Sequence, residues 1–273
     1  MKHGALLLLA MLAGCASPPA AERGVVSLNP CADAMLLALA PERIESLSHY
    51  SRDPAATSIP LDVARRYPIN AGTAEEVIAL RPALVVASSF TSPATRSSFE
   101  RAGLRTLYLD SPTRIAASQE QVRRLAAALE ARDAGERLNA RIDAAVRKAD
   151  TGAPAVPALL WIGGNLVSGG GNLLDELLRR AGFADAAADY GLQYTGYLPV
   201  EHIVAHPPAL MLVPDEPGRD SDSRAAQMRD RVLAHLAKPI PQARFPRRLV
   251  NCGGPVIIDA LDRLAAIRRR LAR

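Results

Sequence analysis

The feature that most constrains the fold of this chain is a fourteen-residue phrase that occurs twice, at residues 75–88 and 201–214. Both copies carry Glu, Ala, Pro, Ala and Leu at the same positions, and four other positions exchange one aliphatic residue for another. Proline cannot continue a helix, and an aliphatic run after it suits a strand that is covered on both faces. Each copy predicts a short helix, a stop and a buried strand. Two copies predict two similar α/β lobes with a cleft between them, unless the phrase recurs by chance.

The N-terminus has the pattern of an export signal. A short basic segment precedes an apolar stretch at residues 5–12, which is too short to cross a bilayer. The sequence Leu-Ala-Gly before Cys15 resembles the bacterial lipoprotein signal. This resemblance implies a signal peptide at residues 1–14, a lipid on the Cys15 thiol and an anchored tether at residues 15–23. The alternative is an ordinary secretory signal with a chance cysteine. We expect an exported protein of the periplasm or cell envelope that meets the membrane through this anchor alone.

The charge of the chain gives little reason to expect a nucleic-acid partner. There are 33 basic residues against 28 acidic ones, for a formal net charge of +5. The one compact basic run, at residues 268–270, resembles the exposed end of a helix more than a nucleic-acid patch.

The order of predicted elements indicates an α/β fold with mostly parallel sheets. Strands are predicted at residues 25–28, 44–47, 84–87 and 105–109, with helices between them, in an N-terminal lobe at residues 24–112. A connecting helical segment follows at residues 113–150, which we interpret as one long helix with a candidate break at Arg132–Asp133. The C-terminal lobe at residues 151–273 begins with a strand at 158–162. It continues with a helix capped by Asn172, a strand at 249–250 and a final helix at 257–271.

This order resembles the helical-backbone (class III) substrate-binding proteins of ABC importers, which receive cobalamin, ferric siderophores, haem and some bare metal ions. The motifs that carry the resemblance are residues 26–30, the two copies of the repeated phrase, and residues 167–171 before 177–182. The resemblance implies a receptor rather than an enzyme. Such a receptor captures a small-molecule metal chelate between its lobes and delivers it to a permease dimer with its ATPase.

The resemblance also gives the repeated glutamate a role. Glu75 and Glu201 occupy the place of the two carboxylates that dock such receptors onto arginines of the permease, and Glu76 could substitute for Glu75. The alternative role is a carboxylate that favours the helix dipole.

Ligand contacts in this family come from loops at the strand ends that face the cleft, as expected for α/β sheets. On that basis the candidate ligand-binding residues are Asn29, Cys31, His49, Tyr50, Arg52, Ser88, Phe90, Trp161, Asn165, Tyr194, Tyr197, Cys252 and Gly253. The alternative for each aromatic ring is packing in the core or at the rim. For Trp161, which ends a predicted strand, the core is nearly as good an interpretation, whereas the glycine between Tyr194 and Tyr197 favours the cleft for those two rings.

Among the possible ligands, a corrinoid such as cobalamin fits the candidate residues best because it is nearly neutral. A bare metal ion would need several converging ligands, and a siderophore receptor would need more arginines than Arg52. Cobalamin receptors often carry an aromatic residue just before the first docking helix, and residues 71–73 have none. Haem remains an alternative, with His49, Tyr50 or Cys31 as the axial ligand. No resident cofactor or metal is expected.

Cys31 and Cys252 would face the cleft from opposite lobes. We expect unpaired thiols, and the alternatives are a disulfide that joins the lobes or simple apolar packing. Two other functions are weaker. The glycine-rich residues 162–171 match no phosphate-binding spacing, which argues against an enzyme. The other is a non-transport envelope lipoprotein that uses the two-lobed fold as an adaptor, which a permease and an ATPase encoded beside this gene would argue against.

Overall fold

The computed structural model describes residues 24–163, 165–214 and 238–271, together with Gln227, Asp230, Arg231, Leu233 and Ala234. The predicted signal peptide, Cys15 and the tether lie outside the described residues, so the lipid anchor stays a prediction. Within the described part of the chain, no helix is both long enough and apolar enough to cross a membrane.

The first lobe is built on a parallel sheet. Its strands are β1 (Val25–Ser27), β2 (Ile44–Ser48), β3 (Ile69–Asn70), β4 (Leu84–Ser88) and β5 (Thr106–Leu109). They are ordered β3-β2-β1-β4-β5, and each neighbouring pair is parallel. The crossover helices are α1 (Pro30–Leu39), α2 (Leu61–Ala64), α3 (Ala74–Leu80) and α4 (Pro93–Arg101). Four of these strands were predicted from the sequence, whereas β3 was not.

The connecting segment contains two helices, and the second of them is the long helix that was predicted to join the lobes. They are α5 (Ile115–Ala128) and α6 (Arg132–Ala149). Glu130 has a φ of 57°, a left-handed conformation that cannot continue a helix. The two helices then pack so closely that a Cβ on Gly135 would lie 2.6 Å from that of Ala126. Helix α6 alone therefore leads into the second lobe, and it is roughly 27 Å long at 1.5 Å per residue.

The second lobe has a mixed sheet. Its strands are β6 (Val156–Gly163), β7 (Leu166–Val167), β8 (Phe183–Asp185), β9 (Gly196–Tyr197), β10 (Leu210–Val213) and β11 (Gln242–Arg244). Its helices are α7 (Leu173–Arg180), α8 (Val200–Ala205) and α9 (Val256–Leu271). Strand β6 pairs in parallel with β10 and β8, while β7 and β9 add an antiparallel extension. The predicted strand at 249–250 is wrong, because residues 247–249 form a 3₁₀ turn.

The repeated phrase occupies the same place in both lobes. In the first copy α3 leads into β4, and Leu84 of β4 lies opposite Val25 in the first strand of its lobe. In the second copy α8 leads into β10, and Leu210 lies opposite Ala158 in the first strand of its lobe. The two leucines hold the same position in the phrase, so the prediction of two similar α/β lobes is confirmed.

One hydrophobic core runs through both lobes. Met35 of the first lobe, Leu125 and Ile142 of the connecting helices, and Leu261 of the second lobe all belong to the same cluster of buried side chains. Because well-packed cores resist deformation, the lobes are held to each other by packing as well as by chain connectivity.

Cys31 and Cys252 form a disulfide, with their Cα atoms 5.1 Å apart, so the prediction of unpaired thiols is wrong. The loop before α9 is seated on the first lobe, which brings the two sulfur atoms together. Ser118 Oγ accepts a hydrogen bond of 2.6 Å from Gly254 N, and Gly253 abuts Ser118 so tightly that it has no room for a side chain. The disulfide therefore cross-links the two lobes.

Asp33 is a buried carboxylate that ties α1 to the end of β2. It accepts hydrogen bonds from Ser48 N at 3.2 Å, Ser48 Oγ at 2.7 Å and Ser51 Oγ at 2.5 Å. Burial raises the pKa of Asp33 to about 6, and the hydrogen bonds from nearby serines oppose that rise. These bonds fix the turn that follows β2 and carries Tyr50.

We expect Asp33 to make the stability of the protein depend on pH. Its pKa of about 6 in the folded chain exceeds the ordinary value of 3.8. The contribution of Asp33 to the free energy of unfolding is therefore fully present below about pH 4 and is lost as the pH rises through 6. Replacing Asp33 with Asn removes this dependence. The unfolding free energy of the wild type relative to Asp33→Asn should fall by roughly 2–3 kcal/mol between pH 4 and pH 7. Parallel urea unfolding curves of the two proteins measure it, and an unchanging difference would contradict the assignment.

Replacing both cysteines of the disulfide with serine should lower the free energy of unfolding by about 3–5 kcal/mol, because the cross-link closes a very long loop. Urea unfolding of a form that begins after Cys15 measures this loss. The wild-type protein that begins after Cys15, with both cysteines present, should contain no reactive thiol when it is unfolded without reductant. Two reactive thiols per chain would contradict the disulfide.

Candidate functional site

A cavity of about 570 Å³ lies at the carboxyl edge of the first-lobe sheet. The chain reaches it immediately after four parallel strands, because the carboxyl ends of parallel strands meet at the same edge of a sheet. Leu28 to Cys31 come after β1, Tyr50 after β2, Ser88, Phe90 and Thr91 at the end of β4, and residues 109–112 at the end of β5. Asn251 of the second lobe closes one side, so the cavity lies where the lobes meet.

The lining of this cavity mixes apolar and neutral polar side chains and carries little charge. Its remaining members are Met35, Ala55, Ala56 and Gln121. Among the described lining residues, the one charged side chain is that of Asp110, which is exposed. Its volume and its mixture of apolar surface with a few polar groups are typical of a small-molecule site.

A second cavity of about 300 Å³ adjoins the first on the side of the second lobe. Both are lined by Ser111, Pro112 and Asn251. Cys252 lines the second cavity and Cys31 the first, so the disulfide stands between them. The two cavities are therefore neighbouring parts of one cleft.

Five of the residues predicted to bind ligand line the larger cavity, and they are Asn29, Cys31, Tyr50, Ser88 and Phe90. Asn29 also caps α1, since its Oδ1 accepts a hydrogen bond of 2.8 Å from Cys31 N. Cys31 is bonded to Cys252 and so offers no thiolate to a metal. Tyr50 remains as a phenol at the edge of the sheet, with its side chain 38% exposed.

Two predicted residues of the first lobe stand beside the cavity rather than in its lining. The His49 ring packs against the Tyr50 ring with centroids 4.0 Å apart. Arg52 donates a hydrogen bond of 2.8 Å to the carbonyl oxygen of Tyr67, which directs its guanidinium away.

In the second lobe only Cys252 among the predicted residues lines a cavity. Trp161 is 3% exposed and belongs to the core of its lobe, and Gly253 is packed against Ser118. Tyr194 and Tyr197 are exposed but line neither cavity, although Thr195 between them lines the smaller one. Asn165 lies in the turn between β6 and β7, outside both linings.

The glycine-rich segment has a packing role. A side chain at Gly169 would collide with the carbonyl group of Tyr194, and the Gln193 carbonyl oxygen lies 3.3 Å from the position of a Cβ on Gly170. Gly171 has a φ of +73°, which favours glycine. These glycines let the loop that carries Tyr194 lie on the start of α7.

Sequence reasoning missed the residues that follow β5. Asp110, Ser111 and Pro112 all line the larger cavity. The strand-end rule that named the residues after β1, β2 and β4 applies equally to β5, so the signal was present. Asn251 and Ala55 gave no comparable signal, since loop packing alone brings them to the cavity.

The two repeated glutamates are exposed in the first turns of α3 and α8. Glu76 is engaged differently from Glu75. Its carboxylate accepts a hydrogen bond of 2.7 Å from Ala71 N, while Thr73 Oγ accepts one from Glu76 N. Thr73 thus caps the helix, and the Glu76 carboxylate ties the preceding loop to the first turn, so Glu76 stabilises the helix end. Glu75 is left as the counterpart of Glu201.

No cluster of three or more histidine, cysteine, aspartate or glutamate residues suited to a metal ion exists in the described part of the chain. Two side chains in the lining of the larger cavity, the Tyr50 phenol and the Asp110 carboxylate, offer oxygen donors that could meet a chelated metal.

Solved structures of periplasmic haem-binding proteins resemble this chain. The apo form of RhuT from Roseiflexus sp. RS-1 is 22% identical, with 90% of this chain and 98% of that chain covered and a TM-score of 0.67. A haem-binding protein from Pseudomonas aeruginosa is 22% identical, with 90% and 92% covered and a TM-score of 0.69. BhuT in complex with two haems is 22% identical, with 92% and 98% covered and a TM-score of 0.71. At this identity the likeness shows the fold.

No curated protein sequence matches the chain significantly. The family described as periplasmic binding protein matches residues 25–237, which is most of the chain. Its members are transport receptors rather than enzymes, and they act outside the cytoplasm. The chain belongs to this periplasmic binding protein family, in the helical-backbone (class III) group that serves ABC importers.

Proposed function

We propose that this protein captures a large metal chelate, with haem as the first candidate, in the cleft between its lobes and delivers it to an ABC permease dimer with its ATPase. The observation that carries the proposal is the cavity of about 570 Å³, whose lining combines apolar and neutral polar side chains with a single phenol, that of Tyr50. Apolar walls suit the faces of a flat macrocycle, and a phenolate oxygen is a suitable axial ligand for ferric iron.

Haem takes precedence over a corrinoid for two reasons. The similar solved structures named above are haem-binding proteins. Of the three axial ligands expected from the sequence, Cys31 is removed by the disulfide and His49 packs beside the cavity, whereas Tyr50 lines it. This order reverses the preference for cobalamin that the sequence alone suggested.

A corrinoid is the second candidate, and one observation favours it. The described lining has no cationic side chain to pair with the two propionates of haem, and Asp110 is its only charge. Haem would have to direct its propionates toward solvent, because a carboxylate buried without a partner is costly. A nearly neutral corrinoid avoids that cost. Ferric siderophores with net negative charge are disfavoured for the same reason.

An absorbance titration tests the proposal. Haemin, cobinamide, cyanocobalamin and a ferric siderophore are offered separately to protein that begins after Cys15. We expect haemin to bind with a shifted Soret band. Tyr50→Phe should weaken binding by at least about tenfold and alter the charge-transfer bands, because the iron loses its axial oxygen.

Tyr194→Phe is the matched control, since it removes a phenol that lies outside the lining, and it should leave haemin binding unchanged. Binding of cobinamide without haemin would favour the second candidate. Binding of neither macrocycle would refute the proposal.

We further propose that Glu75 and Glu201 dock the loaded receptor on the permease. Each is an exposed carboxylate in the first helical turn of the same phrase, one on each lobe. Charge pairs of this kind raise the rate and fix the orientation of an encounter more than they add affinity.

Neutralising both docking residues, as Glu75→Gln/Glu201→Gln, should slow association with the reconstituted permease–ATPase complex by about tenfold at low salt. The difference should shrink at high salt, because screening weakens steering. Stopped-flow association measures it. Ligand affinity should stay unchanged, and Glu136→Gln, an exposed carboxylate on α6, serves as the control. Equal association rates for all variants would contradict docking through this pair.

A further inference from the structure

The Phe90 ring is exposed although the backbone around it is tightly held. Its side chain is 80% exposed, and it lines the larger cavity. Phe90 N donates to Ser88 Oγ at 3.1 Å, Ser89 N donates to the Leu109 carbonyl oxygen at 2.9 Å, and Thr91 N donates to the Ser88 carbonyl oxygen at 3.0 Å. The segment is therefore fixed by its own hydrogen bonds while its largest side chain covers little of the protein.

Arg96 of α4 clamps this segment on both sides of Phe90. Its Nε donates a hydrogen bond of 2.9 Å to the Thr91 carbonyl oxygen, and its Nη2 donates one to the Ser89 carbonyl oxygen. The guanidinium lies over the Tyr108 ring, 4.3 Å from the ring centroid. This cation–π contact holds the guanidinium against β5 and so fixes the clamp to the sheet.

The clamp suits the role of presenting an aromatic ring. An arginine offers several donors in a rigid plane, so one side chain can hold two carbonyl groups at a fixed separation. Because the backbone that carries the ring is already held, less conformational freedom is lost when a ligand meets the ring, which improves affinity. An aromatic ring packs well on another flat π-system in an offset arrangement.

We propose that Phe90 is a stacking platform for the face of a planar chelate, and that Arg96 is the positioning residue that holds it there. The inference rests on the proposed function, because it assumes a planar ligand in the larger cavity. It assigns a role in selecting flat macrocycles to the end of β4, whatever metal the macrocycle carries.

A double-mutant cycle tests this inference with haemin, and with cobinamide in parallel. Phe90→Ala should weaken binding by about tenfold, and Phe90→Trp should retain it, whereas Phe90→Leu should not. Arg96→Lys keeps the charge but loses the planar guanidinium that donates to two carbonyl groups at once, and it should weaken binding by about threefold to fivefold. In the Phe90→Ala background, Arg96→Lys should cause no further loss, because Arg96 acts through the ring.

The matched control is Arg263→Lys in the second lobe, because Arg263 also holds a backbone carbonyl group, that of Arg244, through Nε and Nη2. It should leave binding unchanged. Hydrogen exchange provides a readout that needs no ligand, since Arg96→Lys should speed amide exchange at residues 89–91.

The outcomes separate this inference from the proposed function. If the wild type binds neither macrocycle, the proposed function fails and this inference fails with it. If the wild type binds but Phe90→Ala binds equally well, only the stacking role is overturned. If Arg96→Lys weakens binding as much without Phe90 as with it, or leaves amide exchange unchanged, the positioning role is overturned.

Discussion

The joint between the two lobes is the constraint on which the rest of the structure depends. A single core crosses it, α6 spans it, and the Cys31–Cys252 disulfide closes it beside the ligand cavity. The loop that carries Cys252 is also hydrogen-bonded to Ser118 of α5, in the connecting segment. Opening the cleft widely would break packing that is costly to rearrange. The walls of the cleft are thus largely formed before a ligand arrives.

In a preformed cleft, residues outside the lining hold the segments that carry the lining side chains. Asp33 fixes the turn that carries Tyr50, and Arg96 fixes the segment that carries Phe90. Binding to such a surface spends little free energy on ordering the protein. The described lining carries one charged side chain, that of Asp110, so under the proposed function shape and flatness would select the ligand more than charge. The second lobe closes one side of the cleft, through Asn251 and the disulfide.

The sequence predicted the two lobes because the repeated phrase is a local signal. Proline stops and aliphatic runs act within a few residues, and the strands they imply are present in β4 and β10. Strands β3, β8, β9 and β11 escaped prediction because each has two or three residues and exists through pairing with a neighbour. The break between α5 and α6 lies close to the predicted one at Arg132–Asp133, but its exact place depends on the left-handed backbone of Glu130, for which glutamate gives no signal. The disulfide depends on a distant contact that seats one loop on Ser118.

Within the candidate site, residue type alone could not separate lining from surroundings. Tyr50 and Tyr194 are both loop tyrosines, yet only Tyr50 follows a parallel strand into the cavity. A crystal structure of the haemin complex tests the central claim most directly. We expect the macrocycle in the larger cavity, with the Tyr50 oxygen on the iron, the Phe90 ring on its face, and the lobes in their present relation. A macrocycle bound outside that cavity, against Tyr194 and Tyr197, or lobes swung widely apart, would contradict the account.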